Sequence, residues 1–280
     1  ENLVNQFLVN MWIGRQVCHV RHLPWSPSSP RLLVYMDADF LDTTSATQAV
    51  RLPPGGAWIR GETWPLKNRK TCFCLPGLWG TLGEMASTKR HDGRKVDELR
   101  AVRITTPFVG SADGSCLIEM GRTRVICTAC FVPGVPEWRK GSGKGWMTAE
   151  YGMLPASTRT RKARPLAKPD GRGVEIQRLI GRVLRMVLRL DKLGENTVHL
   201  DCDVLEADGG TRTAAITGSY VALAQAVGEA ARRGACAATA LSGRVAAVSV
   251  GIVDGRTLLD LDYAEDSRAE VDLNLAMTAG

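Results

Sequence analysis

The sequence has no apolar run of the length that a membrane-spanning helix needs, which argues against an integral helical membrane protein. Its first residues, from Glu1 to Val4, lack the charged-then-apolar pattern of a signal peptide. We therefore expect a cytoplasmic protein with no membrane partner. The 280 residues suffice for one large domain or two small ones, and a hydrophobic share of 44% is ordinary for a globular chain.

The side chains of nucleophilic catalysis are also sparse. Only four histidines occur, and only His91 and His199 lie within residues 85–280. No Ser/His/Asp or Cys/His set stands out, so nothing points to a covalent intermediate. The eight cysteines lack paired metal-site spacing, and Cys127 and Cys130 lie on an expected strand, where their sulfurs point to opposite faces. We interpret the cysteines as reduced core thiols.

Acidic residues are in the minority. Lys and Arg number 36 against 29 Asp and Glu, which gives a formal net charge of +7 and a pI near 9.1. This excess suits an anionic partner such as nucleic acid, although many basic proteins bind none. The loop Gly141–Trp146 contains G-x-G-K but is no P-loop, because the spacing is wrong and no helix follows.

Residues 1–84 differ in composition from the rest of the chain. They hold five of the seven tryptophans and seven of the thirteen prolines, with no sustained hydrophobic period. At Met85 the character changes, and the residues that follow resemble a natural start of translation. We expect 1–84 to be an in-frame upstream translation or an artefact, outside the family domain and not a working module. A poorly ordered accessory extension is the alternative.

Residues 85–280 carry clear strand and helix patterns. Strands are expected at 102–106, 115–120, 124–130, 197–205, 243–253 and 257–263, and helices at 174–190 and 214–233. Asp254 and Gly255 form a good hairpin turn between the last two strands. This order predicts an α+β fold with helices packed on a mostly antiparallel or mixed sheet.

One turn has a composition suited to phosphate. Asp208-Gly-Gly-Thr-Arg-Thr213 leads into the second long helix. The glycines would let backbone N–H groups approach an anion, and Arg212 would add a planar charged fork. The alternative is an ordinary strand-to-helix turn with a threonine cap. The hexapeptide alone does not decide between the two.

Several long blocks together resemble the ribonuclease PH family of phosphorolytic exoribonucleases. They follow the family's order over about 91–278, and their number and length make the resemblance highly specific. The blocks are Asp92–Arg100, Gly145–Pro155, Val174–Arg182, Leu200–Gly218, Val245–Val253 and Tyr263–Asp272.

The resemblance implies a fold, an activity and partners. The fold is the ribosomal protein S5 domain 2-like α+β fold. The activity is that of a tRNA nucleotidyltransferase, which trims tRNA precursor 3′ ends and also acts in rRNA processing and turnover. Inorganic phosphate is the co-substrate, Mg²⁺ the cofactor, and nucleoside diphosphates are released. Family members form dimers that assemble into hexameric rings.

The resemblance also implies the site residues. Phosphate binding falls on Arg172 and on Gly210, Thr211 and Arg212. The catalytic, metal-associated aspartates fall on Asp266 and Asp272. Sequence pattern alone does not single these out from the other aspartates between residues 201 and 262.

A dense basic loop is the expected RNA contact. Such a loop gives affinity for the RNA backbone without sequence reading. The resemblance covers Arg161 and Arg164, while Ala156 stands where relatives often have arginine. The alternative is a merely solvated basic loop. The residues are Arg159, Arg161, Lys162 and Arg164, followed by Lys168.

The family pattern continues past Met277 with a further strand and helices. We expect their absence to leave a sheet edge open and apolar surface uncovered, so that the chain as written is poorly soluble or inactive. Two other function classes stay open. One is a catalytically silent RNA-binding ring subunit, and the other is an inactive gene fragment.

Overall fold

The computed structural model describes residues 32–36, 90–164 and 170–279. Five strands form a mixed sheet in the order β2-β3-β4-β6-β5, in which β5 runs parallel to β6 and every other pair is antiparallel. Side chains of β4 alternate between buried and more exposed, so one face lies on the core. These strands are β2 Val102–Thr105, β3 Gly114–Met120, β4 Thr123–Pro133, β5 Trp146–Met153 and β6 Asn196–Glu206.

A second sheet is antiparallel, with the order β1-β9-β7-β8. Asp254 and Gly255 connect β7 to β8 with φ of 51° and 68°, which confirms the predicted hairpin turn. The strands are β1 Leu32–Met36, β7 Arg244–Val253, β8 Arg256–Leu259 and β9 Val271–Ala279.

Three α-helices lie within the part of the chain that the structure describes: α1 Gly171–Leu184, α2 Thr211–Arg232 and α3 Tyr263–Asp266. Helix α2 contacts β3 and β4 of one sheet and β7 of the other, so it lies between the two sheets. A Cβ at Gly218 would come within 2.7 Å of Cys127 Sγ, which shows how closely helix and sheet approach. The predicted α+β fold with helices packed on a mixed sheet is confirmed.

Several sequence expectations were wrong in detail. The strand expected at 257–263 ends at Leu259, and Tyr263 begins helix α3 because Asp262 caps it. The helix expected at 174–190 ends at Leu184, because Arg185 takes the C-cap position and turns its side chain to the carbonyl of Met147, at 2.9 Å. Strand β5 was not predicted, since Ala149 and Gly152 weaken its strand propensity, although alternate positions are buried. Among the described residues, no helix combines the length and apolarity needed to cross a membrane.

Strand β1 comes from the segment that we expect to lie outside the working domain. Its backbone pairs with β9, with Leu32 opposite Met277 and Met36 opposite Leu273. One side of β9 is therefore paired with β1 and the other with β7. The other residues of 1–84, and Lys168 of the basic loop, lie outside the described residues. The assignment of 1–84 as an extension stays a prediction.

Candidate phosphate and metal site

The Gly-Gly turn has the backbone shape of an anion site. Gly209 and Gly210 have φ of 74° and 66°, in the left-handed region that favours glycine. Gly210 is the N-cap of α2, and no side chain caps the helix. The threonine cap of the alternative interpretation is therefore absent. The N-terminus of α2 presents N–H groups and the positive end of the helix dipole.

The turn is held from the β4 side. The hydroxyl of Thr123, which is fully buried, donates to the carbonyl of Gly209 at 2.7 Å and accepts from the N–H of Asp208 at 2.9 Å. A Cβ at Gly209 would lie 2.5 Å from the carbonyl oxygen of Leu261. The turn thus packs directly against the segment that leads into α3, and a larger residue there would push the two apart.

Four charged or polar side chains lie around this turn: Tyr151, Arg172, Thr211 and Arg212. Tyr151 on β5 donates its hydroxyl proton to Thr211 Oγ1 at 3.1 Å. Burial raises the pKa of Tyr151, and this hydrogen bond and the charges of Arg172 and Arg212 oppose the rise. The structure therefore brings together three residues expected at the phosphate site. It adds Tyr151, which sequence reasoning missed although the residue lies in a family-like block.

The two arginines differ in their surroundings. Arg212 on α2 is only 6% exposed, and its Nη2 lies 3.5 Å from Glu175 Oε2 on α1. Arg172 is exposed at the start of α1, one turn before Glu175, and its N–H bonds to the carboxylate of the N-cap residue Asp170. The buried guanidinium group of Arg212 and the exposed one of Arg172 thus both lie near the start of α2.

The predicted catalytic aspartates lie on the second sheet and its connecting helix. Asp266 is the last residue of α3, and Asp272 is the second residue of β9, opposite Gly251 on β7. The chain turns after Asp266, where Ala269 N bonds to Asp266 O at 3.2 Å. Both are partly exposed. Carboxylate oxygens are donors that Mg²⁺ prefers, so each of these side chains has the chemistry of such a ligand.

Two arginines that sequence reasoning did not single out, Arg90 and Arg94, pack on the segment that leads into α3. Arg90 hydrogen-bonds both carboxylate oxygens of Glu265 and donates to the carbonyl of Asp260 at 3.0 Å. Arg94 donates to the same carbonyl at 3.0 Å. Asp262 and Glu265 form a capping box that starts α3. Residues 90–94 thereby fix the helix that ends at Asp266.

His91, Asp262 and Glu265 could by distance hold a metal, since their ligand atoms all lie within 4.8 Å. Guanidinium groups already face these carboxylates, with Arg94 Nη2 3.7 Å from Glu265 Oε2. The three residues belong to the ion-pair network, and we assign no metal to them.

The basic loop lies beside the Gly-Gly turn at Asp208–Gly210, which is called the phosphate turn from here on. Its base is tied to the end of β6, because Ala207 N bonds to Ser157 O at 2.8 Å, one residue before Asp208. Desolvation and the charge of Asp201 raise the pKa of Asp203 on β6, and the nearby charge of Arg164 opposes this rise. The predicted RNA-binding side chains all project into solvent: Arg159, Arg161, Lys162 and Arg164.

Comparison with known proteins identifies the class. Residues 98–228 match the profile described as 3′ exoribonuclease family, domain 1, and residues 243–280 match domain 2. A ribonuclease PH from Mycobacterium sp. (strain KMS) is 59% identical over 194 residues, which cover 68% of this chain and 75% of that protein. One from Corynebacterium diphtheriae is 55% identical over 195 residues, covering 69% and 81%.

Solved structures share the fold. The Archaeoglobus fulgidus exosome with RNA bound to the active site aligns with a TM-score of 0.58 and 25% identity, over 69% of this chain and 82% of that chain. Rice Rrp46 aligns at 0.53 with 20% identity over 64% and 75%, and supports the fold alone. Fold and matches together define a 3′ exoribonuclease.

The chain belongs to the ribonuclease PH family. Its activity is that of a phosphorolytic 3′→5′ exoribonuclease of the tRNA nucleotidyltransferase type.

Proposed function

We propose that this protein trims the 3′ ends of tRNA precursors in the cytoplasm and takes part in rRNA processing and turnover. Inorganic phosphate is the attacking reagent. The observation that carries the proposal is the uncapped start of α2, where two left-handed glycines adjoin the buried Arg212. Such a terminus suits an oxyanion.

The reaction needs two anions in contact. The N–H groups from Gly210 onward, with Thr211, Arg212 and Arg172, bind inorganic phosphate and offset its charge. A phosphate oxygen attacks the phosphorus of the 3′-terminal phosphodiester. The bond to the 3′ oxygen of the preceding nucleotide breaks, and that oxygen takes up a proton. The terminal nucleotide leaves as a nucleoside diphosphate, so no side-chain nucleophile is required.

Asp266 and Asp272 would hold the metal. When bound, Mg²⁺ supplies positive charge beside the scissile phosphate and the leaving oxygen. The aspartates themselves contribute hard oxygen donors at the end of α3 and near the start of β9, in the part of the chain that follows the Leu261–Asp262 contact with the Gly-Gly turn. Arg90 and Arg94 keep the Asp266 helix in place.

RNA approaches over the basic loop. Its exposed charges, Arg159, Arg161, Lys162 and Arg164, bind the RNA backbone and lead the 3′ end toward the turn. We also propose that the chain works in a ring of six copies. The likeness to subunits of archaeal exosomes supports a ring-type assembly.

The silent-subunit and gene-fragment alternatives are disfavoured by the retained set Arg172, Arg212, Asp266 and Asp272. The test is incubation of the full chain with tRNA that bears extra 3′ nucleotides and Mg²⁺, with and without phosphate. Phosphate-dependent release of nucleoside diphosphates supports the proposal. Release of monophosphates would indicate a hydrolase, and RNA binding without release would indicate a silent subunit.

A further inference from the structure

Arg100 touches the phosphate turn directly. It precedes β2, and its side chain is buried, with 6% exposed. Its Nη1 donates to the carbonyl of Asp208 at 2.5 Å, and its Nη2 lies 3.5 Å from the carbonyl of Gly209. A Cβ at Gly210 would come within 2.8 Å of the same Nη2. The guanidinium therefore lines the back of the turn that starts α2.

The same guanidinium also binds the segment that carries the aspartates. Nε and Nη2 donate to the two carboxylate oxygens of Asp260 at 3.0 and 2.6 Å, and the N–H of Arg100 adds a third bond at 2.8 Å. Asp260 is fully buried. Burial lowers the pKa of Arg100, but the hydrogen bond and charge of Asp260 outweigh it, so the fork stays charged.

Asp260 lies at the start of the path to α3. Its backbone has φ of 55°, a left-handed conformation that is uncommon outside glycine. Two residues later, Asp262 caps α3, and the helix ends at Asp266. The orientation of that helix thus depends on the conformation that the bidentate contact holds at Asp260.

We propose that Arg100 is a positioning residue that fixes the phosphate-binding turn relative to the aspartate-bearing segment. This role rests on the proposed function of those two parts. A planar fork with both ends engaged sets both the distance and the angle between its partners, which a lysine does not do. Attack of phosphate on the phosphodiester is sensitive to such alignment, since displacement of about 1 Å costs roughly a hundredfold in rate.

Arg90 and Arg232 provide matched controls. Arg90 binds Glu265 and the backbone carbonyls of Glu98, Leu259 and Asp260, and none of these partners lies in the Gly-Gly turn. Arg232 pairs with Glu229 in solvent near the last turn of α2, about 30 Å from the phosphate turn by helix length. Arg90→Lys therefore tests the loss of a buried arginine that does not contact the Gly-Gly turn. Arg232→Lys tests the effect of an arginine-to-lysine change far from the site.

The experiment measures kcat and the KM for phosphate of the full chain, on tRNA with extra 3′ nucleotides, with folding checked by circular dichroism. For Arg100→Lys we expect the KM for phosphate to rise about tenfold and kcat to fall by at least as much. Arg90→Lys should lower kcat with little change in that KM, and Arg232→Lys should match the wild type.

Two results would overturn the proposal: wild-type kcat and KM in folded Arg100→Lys, or the same effect in Arg100→Lys and Arg90→Lys. If Arg100→Lys does not fold, Asp260→Asn is measured instead. It keeps an acceptor but removes the charge, and the same combined change is expected; an unchanged KM for phosphate counts against the proposal. A wild type without phosphate-dependent diphosphate release would refute the proposed function instead.

Discussion

Tyr151 donates a hydrogen bond to Thr211 across 3.1 Å, from strand β5 to the first residue of α2. The contact orients the threonine hydroxyl at the mouth of the phosphate turn. It also joins the edge strand of the first sheet to the central helix.

Removal of the Tyr151 hydroxyl should weaken phosphate binding. In Tyr151→Phe the Thr211 hydroxyl loses its donor, at a cost of about 1 kcal/mol, so we expect the KM for phosphate to rise about fivefold. Steady-state kinetics at saturating RNA measures this change. The control is Tyr220→Phe, which lies further along α2 and should leave the KM for phosphate unchanged. Equal phosphate affinity in both variants would remove Tyr151 from the site.

Loss of the buried Arg212 guanidinium group should reduce phosphate-dependent turnover more severely than loss of the Tyr151 hydroxyl. Arg212→Ala removes a charge that is only 6% exposed and that lies at the start of α2. We expect kcat/KM for phosphate to fall by about a hundredfold or more, as for other buried oxyanion-stabilising groups. Turnover at varied phosphate concentrations checks this. Normal phosphate dependence in a folded variant would show that Arg212 does not bind phosphate.

Asp272 should be needed for turnover but not for RNA binding. In Asp272→Ala we expect loss of turnover with tRNA affinity retained, because the residue lies on β9 and the basic loop lies at the end of β6. Chelation of divalent ions should have the same effect on the wild type and be reversed by added Mg²⁺. A variant with normal turnover would take Asp272 out of the metal site.

The basic loop should govern RNA affinity and its dependence on salt. Arg161→Gln combined with Arg164→Gln should raise the Kd for tRNA and flatten the plot of log K against log salt, by roughly one unit of slope per lost phosphate contact. Filter binding at several salt concentrations measures both quantities. Lys192→Gln, beyond the far end of α1, is the control. An unchanged slope in the double variant would show that these arginines do not contact RNA phosphates.

The Arg90–Glu265 pair should make stability depend on pH. Burial raises the pKa of Glu265, but the hydrogen bond and charge of Arg90 and the charge of Arg94 outweigh it, so the pKa lies below its usual value of 4.5. The stabilisation is therefore complete above about pH 4.5 and is lost as pH falls through the lower folded-state pKa.

Glu265→Gln tests this dependence. At about pH 6 we expect it to lower the free energy of unfolding by about 3 kcal/mol, and the difference from wild type should shrink as the pH falls toward about 3. Urea denaturation across this pH range measures it. A difference that does not change with pH would mean that the ion pair is not the cause.

The sequence allowed prediction of what depends on local pattern. Helix α2 and the Asp254–Gly255 turn follow from periodicity and turn chemistry, and the site residues from the family resemblance. The contacts of Arg90 and Arg100 with the Gly-Gly turn and with the segment before α3 were not predictable, because these partners lie 108 or more residues away along the chain. The only available signal was an arginine-rich block in one place and an acidic cluster in another.

The central claim is that phosphate held at the Gly209–Gly210 turn is the attacking group. Phosphate labelled with ¹⁸O, supplied to the full chain with tRNA that bears extra 3′ nucleotides and Mg²⁺ in ordinary water, tests it most directly. Mass spectrometry should find the label in the β-phosphate of the released nucleoside diphosphates. Unlabelled nucleoside monophosphates, formed equally well without phosphate, would contradict the account.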